Sequence, residues 1–249
     1  MPATINFGSC GDRSTKIDNE NLSRAVKHTT TIFRNDMDWD SLGQALAGSP
    51  ITDIYVGACS DGSEAISIKM LLEKILPKEQ AQNINITAFD IGKENIAMAK
   101  CGVISLYKGP MTKHHDDNKC IDIVGEDIFR RNLEKIAGSD HIAGDITGHR
   151  GKSELYKMTA PLRNSIEFKV ADALNISAQP FKKPIAFFFR NAWPYLTYEA
   201  QNQLAHNLSQ NLPSNSLLGM GTYDGASTIF TRVLSKNFDV LNLCLLRKK

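Results

Sequence analysis

Short β-rich runs alternate with helical stretches from residue 51 onward, and this alternation constrains the fold more than any other feature. The runs predicted as strands are 51–56, 85–89, 166–170, 184–189, 216–220 and 238–246. Apolar residues at helical spacing fill intervals between them, at 63–76, 93–100, 198–212 and 227–235. Strands that alternate with helices form βαβ units, whose right-handed crossovers place helices on both faces of a mostly parallel sheet. The sequence therefore predicts a doubly wound α/β domain.

Two regions fall outside this alternation. Residues 1–50 predict a short helical N-terminal segment, broken near Asn35-Asp36, so the α/β domain is expected to span 51–249. Inside that domain, residues 103–164 form a charged insertion with one predicted helix near 125–137. Glycines suggest loops around that helix, at Gly138, Gly144, Gly148 and Gly151. Insertions of this length commonly contact a substrate or a partner.

Composition favours an ordinary globular protein, with 42% hydrophobic residues and a net charge of +2. So small a charge gives no reason to expect nucleic acid as a partner. No apolar run approaches 18 residues and the first residues lack a signal-peptide pattern, so membrane insertion and export are not expected. The five cysteines include no C-x-x-C pair and are read as reduced thiols. Together these features predict a cytoplasmic protein.

The first strand runs into a turn of small residues, 56–64, that leads to a helix. Gly57, Cys59 and Gly62 lie in this turn, and small residues at the carboxyl end of a parallel strand let the backbone approach a ligand closely. The pattern is neither the G-x-G-x-x-G dinucleotide fingerprint nor a P-loop. A tight strand-to-helix turn without a ligand is the alternative interpretation.

The second strand ends on Asp90, about thirty residues later in the chain. A carboxylate at this position can accept both ribose hydroxyls of an adenosine ligand. It can equally cap the helix that follows, since Asp90 stands just before Ile91-Gly92. The turn and Asp90 together favour an adenosyl ligand over an α/β domain without one.

Four segments, in order, resemble the chemotaxis receptor (CheR-type) methyltransferases, which methylate glutamate side chains with S-adenosylmethionine. Residues 29–36, TTTIFRND, resemble T-x-F-F-R-D, and residues 57–67, GACSDGSEAIS, are similar to G-C-S-x-G-E-E-P-Y-S. Residues 87–91, TAFDI, match the A-T-D-I strand end, and residues 189–196, FRNAWPYL, match C-R-N-V-x-I-Y-F. The resemblance implies a Rossmann-like class I methyltransferase fold with a seven-stranded sheet, S-adenosylmethionine as cofactor, and a protein carboxylate as acceptor.

The resemblance also implies roles for individual residues. Those implied to meet the cofactor, with the two small residues of the turn, are Thr30, Arg34, Gly57, Cys59, Glu64, Asp90, Asp172 and Asn191. Within this set Glu64 would meet the methionine moiety, Asp90 the ribose and Asp172 the adenine. Arg34 and Tyr195 are the candidate catalytic residues, because an arginine fork can orient a carboxylate acceptor and Tyr195 would lie under the methyl group.

The chain also departs from the family pattern. The paired Glu-Glu is Ser63-Glu64 here, a helical N-terminal domain usual in the family has no counterpart, and the insertion replaces a small β-subdomain whose pattern it does not match. These departures leave open another acceptor, small molecule or protein, and a non-catalytic S-adenosylmethionine-binding module. A nicotinamide oxidoreductase is disfavoured by the glycine spacing. His114-His115-Asp116-Asp117 is interpreted as a solvated loop and not as a metal site, so no metal is expected.

Overall fold

The computed structural model describes residues 30–108, 118–137, 141–144, 150–222, 224 and 230–249. The first half of the predicted N-terminal helical segment and the His114–Asp117 cluster lie outside these residues.

Seven strands form one mixed, mostly parallel sheet. They are β1 (Asp53–Gly57), β2 (Asn85–Asp90), β7 (Ile166–Val170), β8 (Ala186–Phe189), β9 (Leu217–Gly219), β10 (Phe238–Asn242) and β11 (Leu245–Lys248). The spatial order is β7-β2-β1-β8-β9-β11-β10, and only β11 runs against the others. The order reverses between β1 and β8, and open α/β sheets bind ligands at the carboxyl ends of strands beside such a switch point.

Helices occupy the intervals predicted at 63–76, 93–100 and 198–212. The helices of the described residues are α1 (Trp39–Ala47), α2 (Ser63–Ile75), α3 (Lys78–Gln82), α4 (Lys93–Cys101), α5 (Asn118–Val124), α6 (Glu126–Asn132), α7 (Ala160–Asn164), α8 (Ala173–Ser177), α9 (Tyr198–Asn211) and α10 (Ser235–Asn237). A π-helical turn, Phe230–Leu234, precedes α10. In the described part of the chain, no helix combines the length and the apolarity needed to cross a bilayer.

Both faces of the sheet are buried, which confirms the doubly wound arrangement. Ile54 and Val56 of β1 lie in the core that contains the buried side chains of α1, α2 and α4. Phe187 and Phe189 of β8 point to the opposite core, which contains those of α8 and α9. Successive side chains of a strand face opposite sides, so continuous apolar runs such as 186–189 are expected where both faces are covered.

The insertion differs from its prediction, because it contains a second, antiparallel sheet. Its strands are β3 (Val103–Lys108), β4 (Leu133–Lys135), β5 (His141–Gly144) and β6 (Arg150–Met158), with β6 pairing with the other three. The predicted helix near 125–137 ends at Asn132, and Gly144 and Gly151 lie in strands where loops were expected. The central strand β6 is largely charged and polar, so it lacks the apolar run that identifies strands in the main sheet.

The segment that precedes β1 includes helix α1 and is held against helix α2. Asp38 caps this helix by accepting a hydrogen bond from the Ser41 backbone at 3.0 Å. The indole of Trp39 donates to the Arg34 carbonyl at 2.9 Å, and the buried Phe33 backbone donates to the Ser67 hydroxyl of α2 at 2.8 Å. These bonds hold residues 33–39 against α2, close to the turn that follows β1.

Candidate cofactor and acceptor site

The turn after β1 is tightly packed and conformationally strained. A Cβ added to Gly57 would lie 2.7 Å from a ring carbon of Phe89 and 2.9 Å from one of Phe189, so only glycine fits there. Ala58 and Ser60 both adopt a φ of 51°, a left-handed conformation that costs free energy in residues other than glycine. Gly62, with a φ of 87°, is the N-cap of α2. Strain of this kind persists where the surroundings enforce it, and is concentrated at binding sites.

Asp90 at the end of β2 holds this turn. One carboxylate oxygen accepts the Ser60 backbone N–H at 3.0 Å, and the other accepts the Gly92 N–H at 2.8 Å and the Asn95 amide at 3.0 Å. An ionised carboxylate offers about four acceptor sites, so three donors leave about one unused. A ribose hydroxyl can take that site, and a second hydroxyl requires Asn95 or Gly92 to yield. Gly92, and not Asp90, is the N-cap of α4.

Exposed apolar side chains flank Asp90 at the same sheet edge. Ile91 is 75% exposed and Val170 is 48% exposed, and Asp90 pairs with Val170 in the β2–β7 register. The Ala171 N–H donates to the Asp90 carbonyl at 3.0 Å, which brings Asp172 to this edge as the N-cap of α8. A flat heterocycle such as adenine would cover these apolar groups, so the residues fit an adenosyl ligand.

A buried arginine that the sequence interpretation assigned no role organises the other end of the site. Arg190, whose side chain is 1% exposed, directs Nη2 to Asp36 at 2.5 Å and Nη1 to Glu64 at 3.1 Å. Glu64 lies in the first turn of α2, directly after the strained turn. Its carboxylate is thus already engaged by Arg190, and its contact with the cofactor's ammonium group stays a prediction.

The two carboxylates keep this cluster charged. Burial alone would lower the pKa of Arg190, but Glu64 and Asp36 together raise it. Burial likewise would raise the pKa of Asp36, but Arg190, Arg34 and the Asn191 amide bring it below its usual value. Since Arg190 and Asp36 each stabilise the charge of the other, their ion pair persists at neutral pH.

Asn191 is fixed by carboxylates on two sides. Its side-chain amide donates to Asp36 at 2.8 Å, and its backbone N–H donates to Asp224 at 2.6 Å. The same Asp224 oxygen accepts the Gly221 N–H at 2.7 Å, and the other oxygen has no hydrogen-bond partner among the residues that the structure describes. Asn191 has a φ of 55°, a conformation that asparagine tolerates better than most residues. Asp224 therefore locks the turn after β8.

The structure brings together some, not all, of the residues singled out from sequence. Arg34 and Asn191 meet at Asp36, with the Arg34 guanidinium 3.4 Å from its carboxylate. Tyr195 lies in a short 3₁₀ helix, Trp193–Tyr195, and is 87% exposed, so its place under the methyl group stays a prediction. Thr30, at the start of the described chain, is half-buried and its role also stays a prediction. Cys59 is buried beside Asp90, and its pKa is raised by burial and by nearby carboxylates.

Sequence reasoning missed Arg190, Asp36 and Asp224 as functional candidates. One signal was available for Arg190, because a charged residue directly after the buried run 186–189 must find a counter-charge. Asp36 and Asp224 gave no such signal, since Arg190 lies 154 positions from Asp36 and Asn191 lies 33 positions from Asp224.

Comparison with known families agrees with this geometry. The family model of the CheR methyltransferase SAM-binding domain matches residues 23–109, a segment that includes Arg34, the strained turn, Glu64 and Asp90. No curated protein matches the chain.

Several solved methyltransferase structures have a similar arrangement at low identity. A methyltransferase from Geobacter sulfurreducens is 12% identical, with a TM-score of 0.48 over 92% of this chain and 87% of its own. The N-methyltransferase NodS from Bradyrhizobium japonicum, solved with S-adenosylhomocysteine, is 11% identical, with a TM-score of 0.40 over 96% and 93%. PKMT2 from Rickettsia typhi, solved with AdoHcy, is 10% identical, with a TM-score of 0.39 over 74% of this chain and 25% of that one. The chain spans 25–54% of the length of five structures that it matches. Identities of 10–12% carry no information about the reaction.

The strand order and the position of the strained turn define a Rossmann-like class I methyltransferase fold. Residues 23–109 match the model of the CheR methyltransferase SAM-binding domain, which confirms the predicted resemblance and the predicted cofactor, S-adenosylmethionine. The protein thus has the fold and the cofactor-binding domain of a SAM-dependent methyltransferase.

Proposed function

We propose that this protein is an S-adenosylmethionine-dependent methyltransferase that transfers the methyl group to a carboxylate oxygen on a protein. The observation that carries the proposal is the common attachment of Arg34 and Asn191 to one carboxylate, Asp36. This attachment joins the predicted acceptor-orienting arginine to the turn after β8, within the same charge network as Glu64 of the cofactor turn.

The cofactor supplies an electrophilic methyl group on a sulfonium sulfur. The residues of the chain then have to bind, align and exclude water, because methyl transfer is an in-line displacement. Asp90 would hold the ribose, Ile91 and Val170 would cover the adenine, and Glu64 would face the methionine end. Asn191 would lie beneath the reacting carbon, where its fixed turn keeps it from rotating away.

A carboxylate acceptor suits the charges of the site. An acidic side chain is ionised at pH 7 and needs no general base, but it must be held in line with the methyl group. Arg34 is the candidate for this task, since its side chain is 28% exposed and only one described carboxylate pairs with it, at 3.4 Å. Arg190, in contrast, is buried with two counter-charges and cannot reach an acceptor.

The second sheet is the part of the protein that we propose contacts a protein acceptor. β3 pairs on one side with β6, and its other edge has no described partner strand. An exposed strand edge offers backbone N–H and C=O groups that an extended peptide can pair with. We place the reaction in the cytoplasm, where thiols such as those of Cys59 and Cys244 remain reduced.

Calorimetry with S-adenosylmethionine and S-adenosylhomocysteine tests the cofactor half of the proposal. The wild type should bind, and Asp90→Ala should weaken binding by about 1–3 kcal/mol, because a buried acceptor of the ribose is lost. Asp239→Ala is the matched control, since Asp239 is exposed and far along the chain from the turn. Failure of the wild type to bind at millimolar cofactor would overturn the proposal.

Transfer of a tritiated methyl group into proteins of a cell lysate tests the acceptor half. Carboxyl methyl esters release methanol in base, whereas N-methyl groups do not, so volatile label identifies the acceptor atom. Arg34→Ala should lower the volatile label at least about ten-fold and leave most of the cofactor binding in place.

A second candidate function is a non-catalytic module that binds the cofactor and a partner. The 87% exposure of Tyr195 favours it, because a ring in solvent contributes nothing to a shaped methyl-transfer site. Cofactor binding without label in any protein or small-molecule fraction would select this candidate.

A further inference from the structure

Asp36 contacts the side chains of five described residues in or beside the site. Oδ1 accepts Nη2 of Arg190 at 2.5 Å, while Oδ2 accepts the Asn191 amide at 2.8 Å and lies 3.4 Å from Nη2 of Arg34. Its backbone carbonyl accepts the Cys244 thiol at 2.9 Å and the Thr222 hydroxyl at 3.4 Å. One residue thus ties the segment before α1 to the ends of β8 and β9 and to the β10–β11 hairpin.

One carboxylate oxygen of Asp36 contacts two residues that are distant from each other in the chain. Arg34 and Asn191 are 157 positions apart in the chain, and both approach Oδ2 of Asp36. An ion pair with Arg34 and a hydrogen bond from Asn191 meet on this oxygen, so Oδ2 links the guanidinium to the turn after β8. A carboxylate also holds a guanidinium more firmly than a neutral acceptor does.

The burial of the two arginines separates their roles. Arg190 is 1% exposed and also pairs with Glu64, so it holds Asp36 from the protein interior. Arg34 is 28% exposed and therefore faces solvent in part. Asp36 stands between the buried and the accessible arginine, with its own side chain 19% exposed.

We infer that Asp36 is a positioning residue, which acts through Arg34 to set the acceptor carboxylate against Asn191. The inference rests on the proposed function for its catalytic meaning, but the geometric coupling can be tested separately. The family segment T-x-F-F-R-D has its acidic residue directly after the arginine, whereas here Asn35 intervenes. This chain therefore supplies the carboxylate one position later.

A double-mutant cycle in the lysate methylation assay tests the inference. Asp36→Asn keeps the shape and loses the charge, and we expect volatile label to fall at least about ten-fold while the cofactor Kd changes less than about three-fold. In an Arg34→Ala background the same substitution should have no further effect, since residues that act as one unit are not additive. Asp40→Asn, on the exposed face of α1, is the matched control and should leave the label unchanged.

A measurement that needs no acceptor is the NMR spectrum of the arginine guanidinium groups. In the wild type, the Nη signals of Arg34 should be resolved by restricted rotation; Asp36→Asn should collapse them, and Asp40→Asn should not. Asp36→Glu should restore part of the restriction.

The outcomes separate the two proposals. Unchanged Arg34 signals in Asp36→Asn, or additive losses of label in the cycle, would overturn the role of Asp36 and leave the methyltransferase proposal standing. Absence of cofactor binding by the wild type would overturn the methyltransferase proposal, while collapsed Arg34 signals would still establish the coupling.

Discussion

Nη1 of Arg190 lies 3.1 Å from Oε1 of Glu64, a residue 126 positions earlier in the chain. This ion pair links the end of β8 to the first turn of α2, beside the point at which the strand order of the sheet reverses. A buried pair of this kind loses more when one partner is removed than it contributes as a pair, because the remaining charge stays buried.

Arg190→Met should therefore destabilise the protein by about 3 kcal/mol in urea unfolding, since Asp36 and Glu64 both lose their main counter-charge. Arg130→Met is the control, because Arg130 is 74% exposed and its pair with Glu126 contributes under about 0.5 kcal/mol. Similar losses in the two variants would show that the Arg190 pairs are solvated.

Asp224→Asn should change how stability depends on pH. Burial raises the pKa of Asp224 to about 6, more than the Gly221 and Asn191 N–H groups lower it, against an ordinary value of 3.8. Between these values the folded protein holds a proton that the unfolded chain has released, so wild-type stability falls as pH rises from about 4 to about 6. The Asp224→Asn variant has no proton to release at this position, so its stability does not fall in this way.

The stability of Asp224→Asn relative to wild type should thus rise across that window, by up to about 2–3 kcal/mol, and level off above it. Urea unfolding at pH 4 and pH 7 measures the difference. Asp239→Asn, 65% exposed, should show no such trend. A flat difference for Asp224→Asn would place the carboxylate in contact with water.

Gly57→Ala should disturb both stability and cofactor binding. The added Cβ would meet rings of Phe89 and Phe189 within 3 Å, and overpacking of this kind costs about 1–3 kcal/mol. Gly48→Ala is the control, because its Cβ would come no closer than 3.5 Å to any neighbour. Calorimetry and urea unfolding check both effects, and equal behaviour of the two variants would contradict the close packing of the turn.

Cys59 should resist alkylation in the folded protein. Burial and the charges of Asp90 and Asp61 raise the pKa of the thiol, and the thiolate is the reactive form. Iodoacetamide at neutral pH should modify Cys59 only in urea, whereas an engineered Gln82→Cys, on an exposed helix end, should react in buffer. Mass spectrometry of the peptides decides, and rapid native labelling of Cys59 would show an accessible turn.

Tyr195→Ala should leave the free energy of unfolding within about 0.5 kcal/mol of wild type, because the ring is 87% exposed. If Tyr195 contacts the acceptor, the same variant should lower methyl transfer at least about ten-fold. Tyr198→Ala, at the start of α9 and 54% exposed, is the matched control. Equal transfer by both variants would remove Tyr195 from the candidate catalytic residues.

The sheet and the cofactor turn could be predicted because they depend on local patterns. Three features can each be recognised from a few neighbouring residues. They are the apolar run at 186–189, the small residues around Gly57 and the acidic strand end at Asp90. The helix predicted over 198–212 is observed as Tyr198–Asn211 for the same reason. The predicted strand over 238–246 is instead a hairpin of β10 and β11, since the turn at 243–244 lacks glycine or proline.

The charge network could not be predicted, because its bonds join residues that are distant in the chain. Nothing near Asp36 indicates that Arg190 and Asn191 will meet it, and β6, the central strand of the second sheet, is charged and lacks regular alternation. The domain boundaries at residues 50 and 51, and the roles of Thr30 and Tyr195, stay predictions.

Helix α2 connects two regions that the proposed reaction would use together. Glu64 in its first turn belongs to the cofactor site, while Glu73 near its end accepts a hydrogen bond from Asn132 of the insertion at 2.9 Å. At 1.5 Å per residue, nine residues of helix separate these carboxylates by about 14 Å along the axis. The length of α2 therefore sets the distance between the insertion and the cofactor site. A polypeptide held at the insertion end must extend by at least about four residues before its acceptor group can meet the methyl group.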